Sequence, residues 1–232
     1  MDDAGRSTAL TFDLGRETPF SFKCQVCSAC CYGKIIRVSP YEALRLARHF
    51  GLTSTEFYAK YAEKGGTILG VKPDGSCIFL SAKGCGVHPD RPLVCRLYPL
   101  GQIVDTEGEE RFGCMPPHPD CLGVYGTDGT VESYLKSQGT EDYFYFDKIY
   151  AALYKQMVAK LGRIGKKSKT KKTRQKRKNI SGSVHGSGNL GSPWLDIDAA
   201  VAACCAERGL QKPADLESQV KLHFATIEDW LA

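Results

Sequence analysis

The residues with the clearest capacity for chemistry are eleven cysteines in a chain of 232 residues, well above ordinary usage. Four of them fall within the eight residues CQVCSACC, from Cys24 to Cys31. The first three have the C-x2-C-x2-C spacing, in which tight turns aim several thiolates at one metal site. Cys31 directly follows Cys30, and neighbouring side chains usually diverge. We therefore expect Cys31 to face a second site or to be a free thiol.

Five further cysteines follow at wider spacing, so nine lie between Cys24 and Cys121. Nine thiols would fill two four-thiolate sites with one left over, and one cluster plus several structural thiols is the other possibility. His88 and His118 are left out, because a lone histidine is more often hydrogen-bonded than a ligand. The candidate metal ligands are Cys24, Cys27, Cys30, Cys31, Cys77, Cys85, Cys95, Cys114 and Cys121.

The choice between disulfides and metal depends on the compartment. The N-terminal segment has no basic region followed by an apolar one, so no secretory signal is expected. There is also no apolar run of about 18 residues, so we expect no membrane span. We therefore predict a cytoplasmic protein whose thiols stay reduced and bind metal. Both zinc and an iron–sulfur cluster take thiolate ligands, and the local run of three cysteines favours the cluster. We expect Cys204 and Cys205 to be small buried residues.

Two arginines flank one of the candidate ligands in GCGVHPDRPLVCRLYP, where Arg91 and Arg96 lie on either side of Cys95. Thiolate-ligated clusters are anionic, so nearby guanidinium groups can offset their charge or anchor an anionic substrate. The alternative is that each arginine pairs with a surface carboxylate. We take both arginines as candidate cofactor-binding residues.

These blocks resemble the YkgJ-type cysteine-cluster family, whose members are described as zinc- or iron-chelating. The resemblance covers about residues 20–125 and implies metal binding without a defined biochemical role. Ser28 stands where the family usually has glycine, and His88 stands where a tyrosine is common. The matching positions are Cys24, Cys27, Cys30, Cys31, Cys77, Phe79, Leu80, Gly84, Cys85, Arg91, Pro92, Cys95, Arg96, Tyr98 and Pro99.

A distant branch of that family implies an enzymatic alternative. The flagellin lysine-N-methylases carry a similar cysteine block in an S-adenosylmethionine-dependent enzyme with an iron–sulfur cluster. The present sequence has no glycine-rich Rossmann fingerprint. A cluster-dependent enzyme, such as a protein methylase, is therefore an alternative that needs a cofactor pocket the sequence does not reveal.

Helices and short strands must position these thiols. Ser39 with Glu42, and Thr53 with Glu56, have capping-box spacing and predict two consecutive helices. IVDTEGEERF predicts a hairpin with its turn near Glu107–Gly108. From Gly66 to Cys114, glycines, prolines and short β-prone runs replace the helical pattern. We therefore predict an α+β fold, a small loop-rich domain organised by metal, with flanking helices and a short α-helical C-terminal segment.

The chain divides by composition into three parts. A long helix is predicted from about Glu141 to Leu161 and completes a cysteine-cluster domain over 1–162. Residues 163–193 are predicted to be a disordered basic, Gly/Ser-rich linker, and 194–232 a short helical segment that forms its own hairpin or docks on the body. The run 163–178 holds ten Lys and Arg and no acid, so subtracting it from the formal net charge of +5 leaves −5 elsewhere.

That basic run supports a third hypothesis for the function, a nucleic-acid-associated zinc module, because clustered cations neutralise phosphates. An acidic partner would suit it equally, and a solvated linker is the alternative. The sequence does not indicate an oligomeric state.

Overall fold

The computed structural model describes residues 10–63, 66–105, 107–116, 118–167 and 194–232. The predicted linker lies outside these residues from position 168 onward, which includes most of the basic run proposed to meet nucleic acid or an acidic partner. Its first residues, 163–167, form the end of a long helix.

The architecture is mixed helix and strand, which confirms the predicted α+β class. The helices are α1 (Pro40–His49), α2 (Ser54–Tyr61), α3 (Leu93–Leu97), α4 (Val131–Ser137), α5 (Glu141–Lys167), α6 (Ile197–Arg208) and α7 (Leu216–Leu231). The strands are β1 (Pro19–Lys23), β2 (Ala62–Glu63), β3 (Ile68–Leu69), β4 (Leu80–Ser81), β5 (Gly84–Cys85), β6 (Leu100–Val104), β7 (Glu110–Cys114) and β8 (Val124–Thr130).

The strands of the described residues form four antiparallel pairs: β1 with β8, β2 with β3, β4 with β5, and β6 with β7. The β6–β7 hairpin has the register Val104↔Glu110, so the predicted hairpin is confirmed. The β1–β8 pair joins residues about a hundred positions apart, with Phe22 opposite Tyr125. This long-range pair carries the start of the cysteine run to the segment that follows Cys121.

Both predicted capping boxes are present. The Ser39 amide donates to Glu42 Oε2 at 2.6 Å, and the Glu42 amide donates to Ser39 Oγ at 3.4 Å. The Thr53 amide donates to Glu56 Oε2 at 2.8 Å, and the reciprocal bond to Thr53 Oγ1 is 3.2 Å. These bonds satisfy amides that a helix start leaves without partners, so α1 and α2 begin where the sequence predicts.

Helix α1 lies between two hydrophobic clusters and holds them together. Tyr41 and Leu44 face the larger cluster, which joins β1, α3, α4, α5, α6 and α7. Ala43, Leu46 and Ala47 face a smaller one, which covers α2 and the loops that carry the middle cysteines. Packing on two sides of one helix fixes the cysteine-bearing loops relative to the main core.

The C-terminal helices α6 and α7 pair with each other and dock on the body, so both arrangements left open by the sequence occur together. Arg48 at the end of α1 donates to Asp198 Oδ2 at 2.9 Å and Oδ1 at 2.7 Å, and the Ser54 amide donates to Oδ2 at 2.7 Å. Tyr150 of α5 hydrogen-bonds with His223 of α7 at 2.8 Å. Within the described residues, no helix has the length and apolarity to cross a bilayer.

Candidate metal centre

The nine candidate cysteines lie on loops and element ends, and all eleven cysteines of the chain are free thiols. Cys24 and Cys114 are exposed, whereas the other seven candidates are partly buried. Cys204 and Cys205 are buried on α6, as expected from the sequence, and Cys205 belongs to the main core. The candidate ligands therefore differ from these two structural thiols in their access to solvent.

Five of the thiols gather where the cysteine run meets the middle loops; we call Cys30, Cys31, Cys77, Cys85 and Cys95 the first thiol group. The Cys77 amide donates to the Cys31 carbonyl at 2.8 Å, which ties the two segments together. Cys85 lies opposite Leu80 in the β4–β5 pair, and Cys95 lies on α3. Short backbone pairings thus bring together thiols that are far apart in the sequence.

The thiols of this group act on one another electrostatically. The pKa of Cys31 is raised, first by its hydrogen bond with Cys30 and then by burial. Burial raises the pKa of Cys95, and Cys77, Cys30 and Cys85 raise it further. The pKa of Cys30 falls to about 6, mainly because the Cys31 thiol donates to it, with Lys34 and Arg91 adding to the effect. The thiolate of Cys30 is therefore favoured near neutral pH, whereas ionisation of Cys31, Cys77 and Cys95 is disfavoured until a cation binds.

Two other thiols, Cys27 and Cys121, form the second thiol group. The Leu122 amide donates to Cys27 Sγ at 3.5 Å. The pKa of Cys27 is lowered by this bond, by the Ala29 amide, and by a hydrogen bond with the Cys121 thiol. The two groups are adjacent, because the charge of Cys30 also acts on Cys27.

Backbone amides point at several of these sulfurs. The Val26 amide donates to Cys24 Sγ and the Gly123 amide to Cys121 Sγ, each at 3.4 Å. In both cases the donor lies two residues after the cysteine, and the Ala29 and Phe79 amides have the same relation to Cys27 and Cys77. At Cys27 such amides lower the pKa of the thiol and so favour the thiolate that binds metal, whereas burial outweighs the amide at Cys77.

The loop that carries Cys24 and Cys27 has a strained backbone. Val26 has φ 54° and Ser28 has φ 63°, in the left-handed region that side chains with a Cβ disfavour. Such strain persists only where the surroundings impose it, and it is concentrated at functional sites. The left-handed conformation also explains why the resembling family usually has glycine at the Ser28 position.

The two candidate cofactor-binding arginines differ in their surroundings. Arg96 is only 8% exposed, and its guanidinium donates to the Arg91 carbonyl at 3.0 Å, to the Gln138 carbonyl at 2.7 Å and to Tyr143 Oη at 2.9 Å. It also lies over the Tyr143 ring, 4.4 Å from the centroid. Its donors are therefore committed to the fold, where it holds α3 to the turn between α4 and α5.

The charge of Arg91 acts on several of the thiols. The Arg91 guanidinium donates to the His88 carbonyl at 2.8 Å and to Gln138 Oε1 at 2.7 Å, and its charge acts on Cys24, Cys30 and Cys95. Neither arginine forms an ion pair with a carboxylate among the described residues. Both arginines were selected because a positive charge near the thiols would act on them. The structure supports this role for Arg91, whereas Arg96 is held by hydrogen bonds within the fold.

The two histidines left out of the ligand set are hydrogen-bonded. His88 Nδ1 lies 3.2 Å from Arg91 Nη1, and burial together with both nearby arginines lowers its pKa. His118 Nδ1 accepts the Asp120 amide at 3.1 Å. A neutral His88 is still capable of ligation, but its ring faces a guanidinium.

Sequence reasoning did not find Tyr125 and treated Tyr98 only as a motif position. Both hydroxyls are buried without a hydrogen-bond partner, and both lie near Cys121. No local pattern marks Tyr125, because its position beside the second thiol group depends on the long-range β1–β8 pair.

The donor set fits a thiophilic metal. Cysteine sulfurs with amides directed at them suit zinc or an iron–sulfur centre. In the part of the chain that the structure describes, no three Cys, His, Asp or Glu side chains converge closely enough to hold an ion as they stand. The two thiol groups would supply the ligands, and side-chain rotation would be needed to close them around a metal.

Comparison with known proteins agrees with the cysteine pattern. Residues 23–118 match the family model CxxCxxCC, described as "Putative zinc- or iron-chelating domain". No curated protein and no solved structure matches the chain. The match supports metal binding and confirms the resemblance drawn from the cysteines. Residues 23–118 are therefore similar to the CxxCxxCC domain.

Proposed function

We propose that the clustered cysteines carry an iron–sulfur cluster, with Zn²⁺ as the alternative metal. The protein would act in the cytoplasm, where its thiols stay reduced. The ligands would come from the two thiol groups together with Cys24 and Cys114. When bound, the cluster would supply a site for electron transfer or for Lewis-acid chemistry.

The observation that carries this proposal is the set of amides directed at sulfur. Cys24, Cys27 and Cys121 each accept a backbone amide at 3.4 to 3.5 Å. A buried structural thiol has no need for such donors, because it packs as a small apolar group. Donors arranged around sulfur stabilise negative charge there and tune the potential of a bound cluster.

The charges near the first thiol group support an anionic occupant. Lys34 and Arg91 both act on Cys30, and Arg91 also acts on Cys24 and Cys95. A cluster held by thiolates is anionic, so these cations would offset its charge. Iron–sulfur is preferred over zinc because Cys24, Cys27 and Cys30 have the spacing of a cluster-binding run.

The test is anaerobic purification of the full chain, followed by measurement of iron, zinc and acid-labile sulfide per chain. The expected result is a brown protein with iron and sulfide in similar amounts, both lost in Cys77→Ala. Cys204→Ala is the matched control, since it removes a buried thiol of α6 and should retain the cluster. A colourless protein with stoichiometric zinc would overturn the iron–sulfur assignment, and a protein that binds neither metal would overturn metal binding.

A further inference from the structure

Glu42, the third residue of α1, is a buried carboxylate whose two oxygens serve two different helices. Its Oε2 accepts the Ser39 amide at 2.6 Å, which is part of the capping box of α1. Its Oε1 accepts the amide of Leu93, the first residue of α3, at 2.5 Å. The side chain is 4% exposed and forms no ion pair with any residue that the structure describes. One carboxylate thus joins two helix starts that are far apart in the sequence.

The capping box of α2 shows what distinguishes Glu42 from an ordinary capping residue. Glu56 has the same position in α2 and accepts the amide of its N-cap residue, Thr53, at 2.8 Å. Glu56 is exposed, however, and within the described chain its hydrogen bonds go only to Thr53. Capping therefore does not require burial, which is costly for a carboxylate and, with Asp147, raises the pKa of Glu42 to about 7. What Glu42 has in addition is its bond to α3.

Helix α3 depends on other elements for its position. It has five residues, too few for a helix to be stable in isolation. Its N-cap residue is Pro92, whose side chain makes no capping hydrogen bond, so Glu42 supplies the acceptor from α1 instead. Near the other end of α3, Arg96 donates to the Gln138 carbonyl in the turn between α4 and α5. These two anchors fix α3 between α1 and the main core.

The thiol of Cys95 belongs to the turn of α3 that Glu42 caps. Its own amide donates to the Pro92 carbonyl at 2.9 Å, which closes the first turn of the helix. Leu93, the residue held by Glu42, lies two positions before the thiol. Helix ends have the fewest internal hydrogen bonds, so loss of the cap would loosen the first turn before the rest of the helix. The orientation of the Cys95 side chain therefore depends on the bond between Glu42 and Leu93.

We propose that Glu42 is a positioning residue for the metal ligand Cys95, whose thiol it holds toward the other members of the first thiol group by fixing the first turn of α3. The inference rests on the proposed metal binding and adds to that site a residue outside the cysteine pattern. Residues that orient a ligand without touching the metal contribute about 10–100-fold to metal affinity.

The first measurement is hydrogen exchange of the metal-free full chain, with mass spectrometry of peptides that cover α3. Glu42→Gln has one acceptor oxygen where the carboxylate has two, and Glu42→Ala has none. Exchange of the amides of α3 should become faster in both variants, and more so in Glu42→Ala. Glu56→Gln is the matched control, because it makes the same change in the capping box of α2 and should leave exchange in α3 unaltered.

The second measurement titrates Co²⁺ into the reduced, metal-free full chain under anaerobic conditions and follows the thiolate-to-cobalt charge-transfer absorption. Glu42→Gln should weaken binding about tenfold and lower the absorption per cobalt at saturation, because Cys95 no longer keeps its place among the ligands. Ser39→Ala weakens the cap of α1 but retains the Ser39 amide and the bond to Leu93, so it should change neither quantity. In a Cys95→Ala background, Glu42→Gln should cause no further change.

The outcomes separate the positioning role from metal binding. Unaltered exchange of α3 in both Glu42 variants would overturn the positioning role. Faster exchange with an unaltered cobalt titration, or an effect of Glu42→Gln that persists in the Cys95→Ala background, would show that Glu42 stabilises the fold without orienting this ligand. A wild-type chain that gives no charge-transfer band would overturn metal binding, and the exchange measurement would still report whether Glu42 holds α3.

Discussion

Removing the carboxylate of Asp198 should weaken the docking of the C-terminal helices on the body. Its side chain is 5% exposed and accepts both guanidinium nitrogens of Arg48, the Ser54 amide and the Lys212 ammonium. Burial alone would raise the pKa of Asp198, but these donors outweigh it and hold the pKa well below its usual range. The carboxylate is therefore charged in the folded protein throughout the neutral range.

The size of the stability loss follows from the groups that Asp198→Ala leaves without an acceptor. Loss of one partner of a fully buried ion pair costs about 3–5 kcal/mol, but the side chains of Arg48 and Lys212 are 34% and 41% exposed, so water compensates part of the charge that is left behind. The Ser54 amide also loses its acceptor, a cost of about 1–3 kcal/mol that partly overlaps the first. We therefore expect Asp198→Ala to lower the free energy of unfolding by about 2–4 kcal/mol at pH 7, less than the full cost of breaking a buried pair.

Urea denaturation can measure this loss with two probes. Both tryptophans of the chain, Trp194 and Trp230, lie in the C-terminal segment with ring centroids 4.9 Å apart, so their fluorescence reports on docking. Far-ultraviolet circular dichroism reports on all helices. Asp229→Ala is the matched control, because it removes an exposed partner of Arg208 on the same helical pair and should cost less than about 1 kcal/mol.

The difference in unfolding free energy between the wild type and Asp198→Ala should depend on pH. A depressed carboxyl pKa contributes stability that is present above the unfolded value of about 3.9 and is lost as pH falls through the folded value. The gap between wild type and Asp198→Ala should therefore be full at pH 6 and shrink below about pH 4. A loss smaller than about 1 kcal/mol at pH 7, or a gap that grows on acidification, would refute the reasoning.

Three further predictions concern the cysteine run. Ser28→Gly should stabilise the metal-free chain by about 1 kcal/mol in urea denaturation, because φ 63° is unfavourable for serine; a destabilised variant would contradict the assigned backbone. In the metal-free chain at pH 7, Cys30 should be alkylated before Cys95, since its pKa is lowered to about 6 while burial raises that of Cys95; mass spectrometry of partly modified protein would show the reverse order if this is wrong. Arg91→Gln should slow alkylation of Cys30 at pH 6 by raising its pKa, and an unchanged rate would show that the guanidinium does not act on this thiol.

The parts of the fold that depend on neighbours in the sequence were predictable. The capping boxes of α1 and α2 are bonds between residues three positions apart, so spacing alone identifies them. The β6–β7 hairpin likewise follows from a turn signal between two β-prone runs. Helix α5 extends to Lys167, beyond the predicted end at Leu161, although Gly162 and Gly165 are poor helix formers.

The division of the thiols into groups was not predictable in the same way. Cys27 lies with Cys121 because the β1–β8 pair and the Phe22–Gly123 contact bring those segments together. Such contacts depend on the register of the whole β1–β8 pair, which no local spacing encodes. The role of Arg96 shows the same limit, since its hydrogen bonds reach the turn between α4 and α5 about forty positions away.

The most direct test of the central proposal is Mössbauer spectroscopy of the anaerobically isolated full chain, expressed in cells supplied with isotope-enriched iron. The iron–sulfur assignment predicts signals of tetrahedral, sulfur-ligated iron that are lost in Cys77→Ala and retained in Cys204→Ala. Absence of such signals in a protein that contains stoichiometric zinc would contradict it.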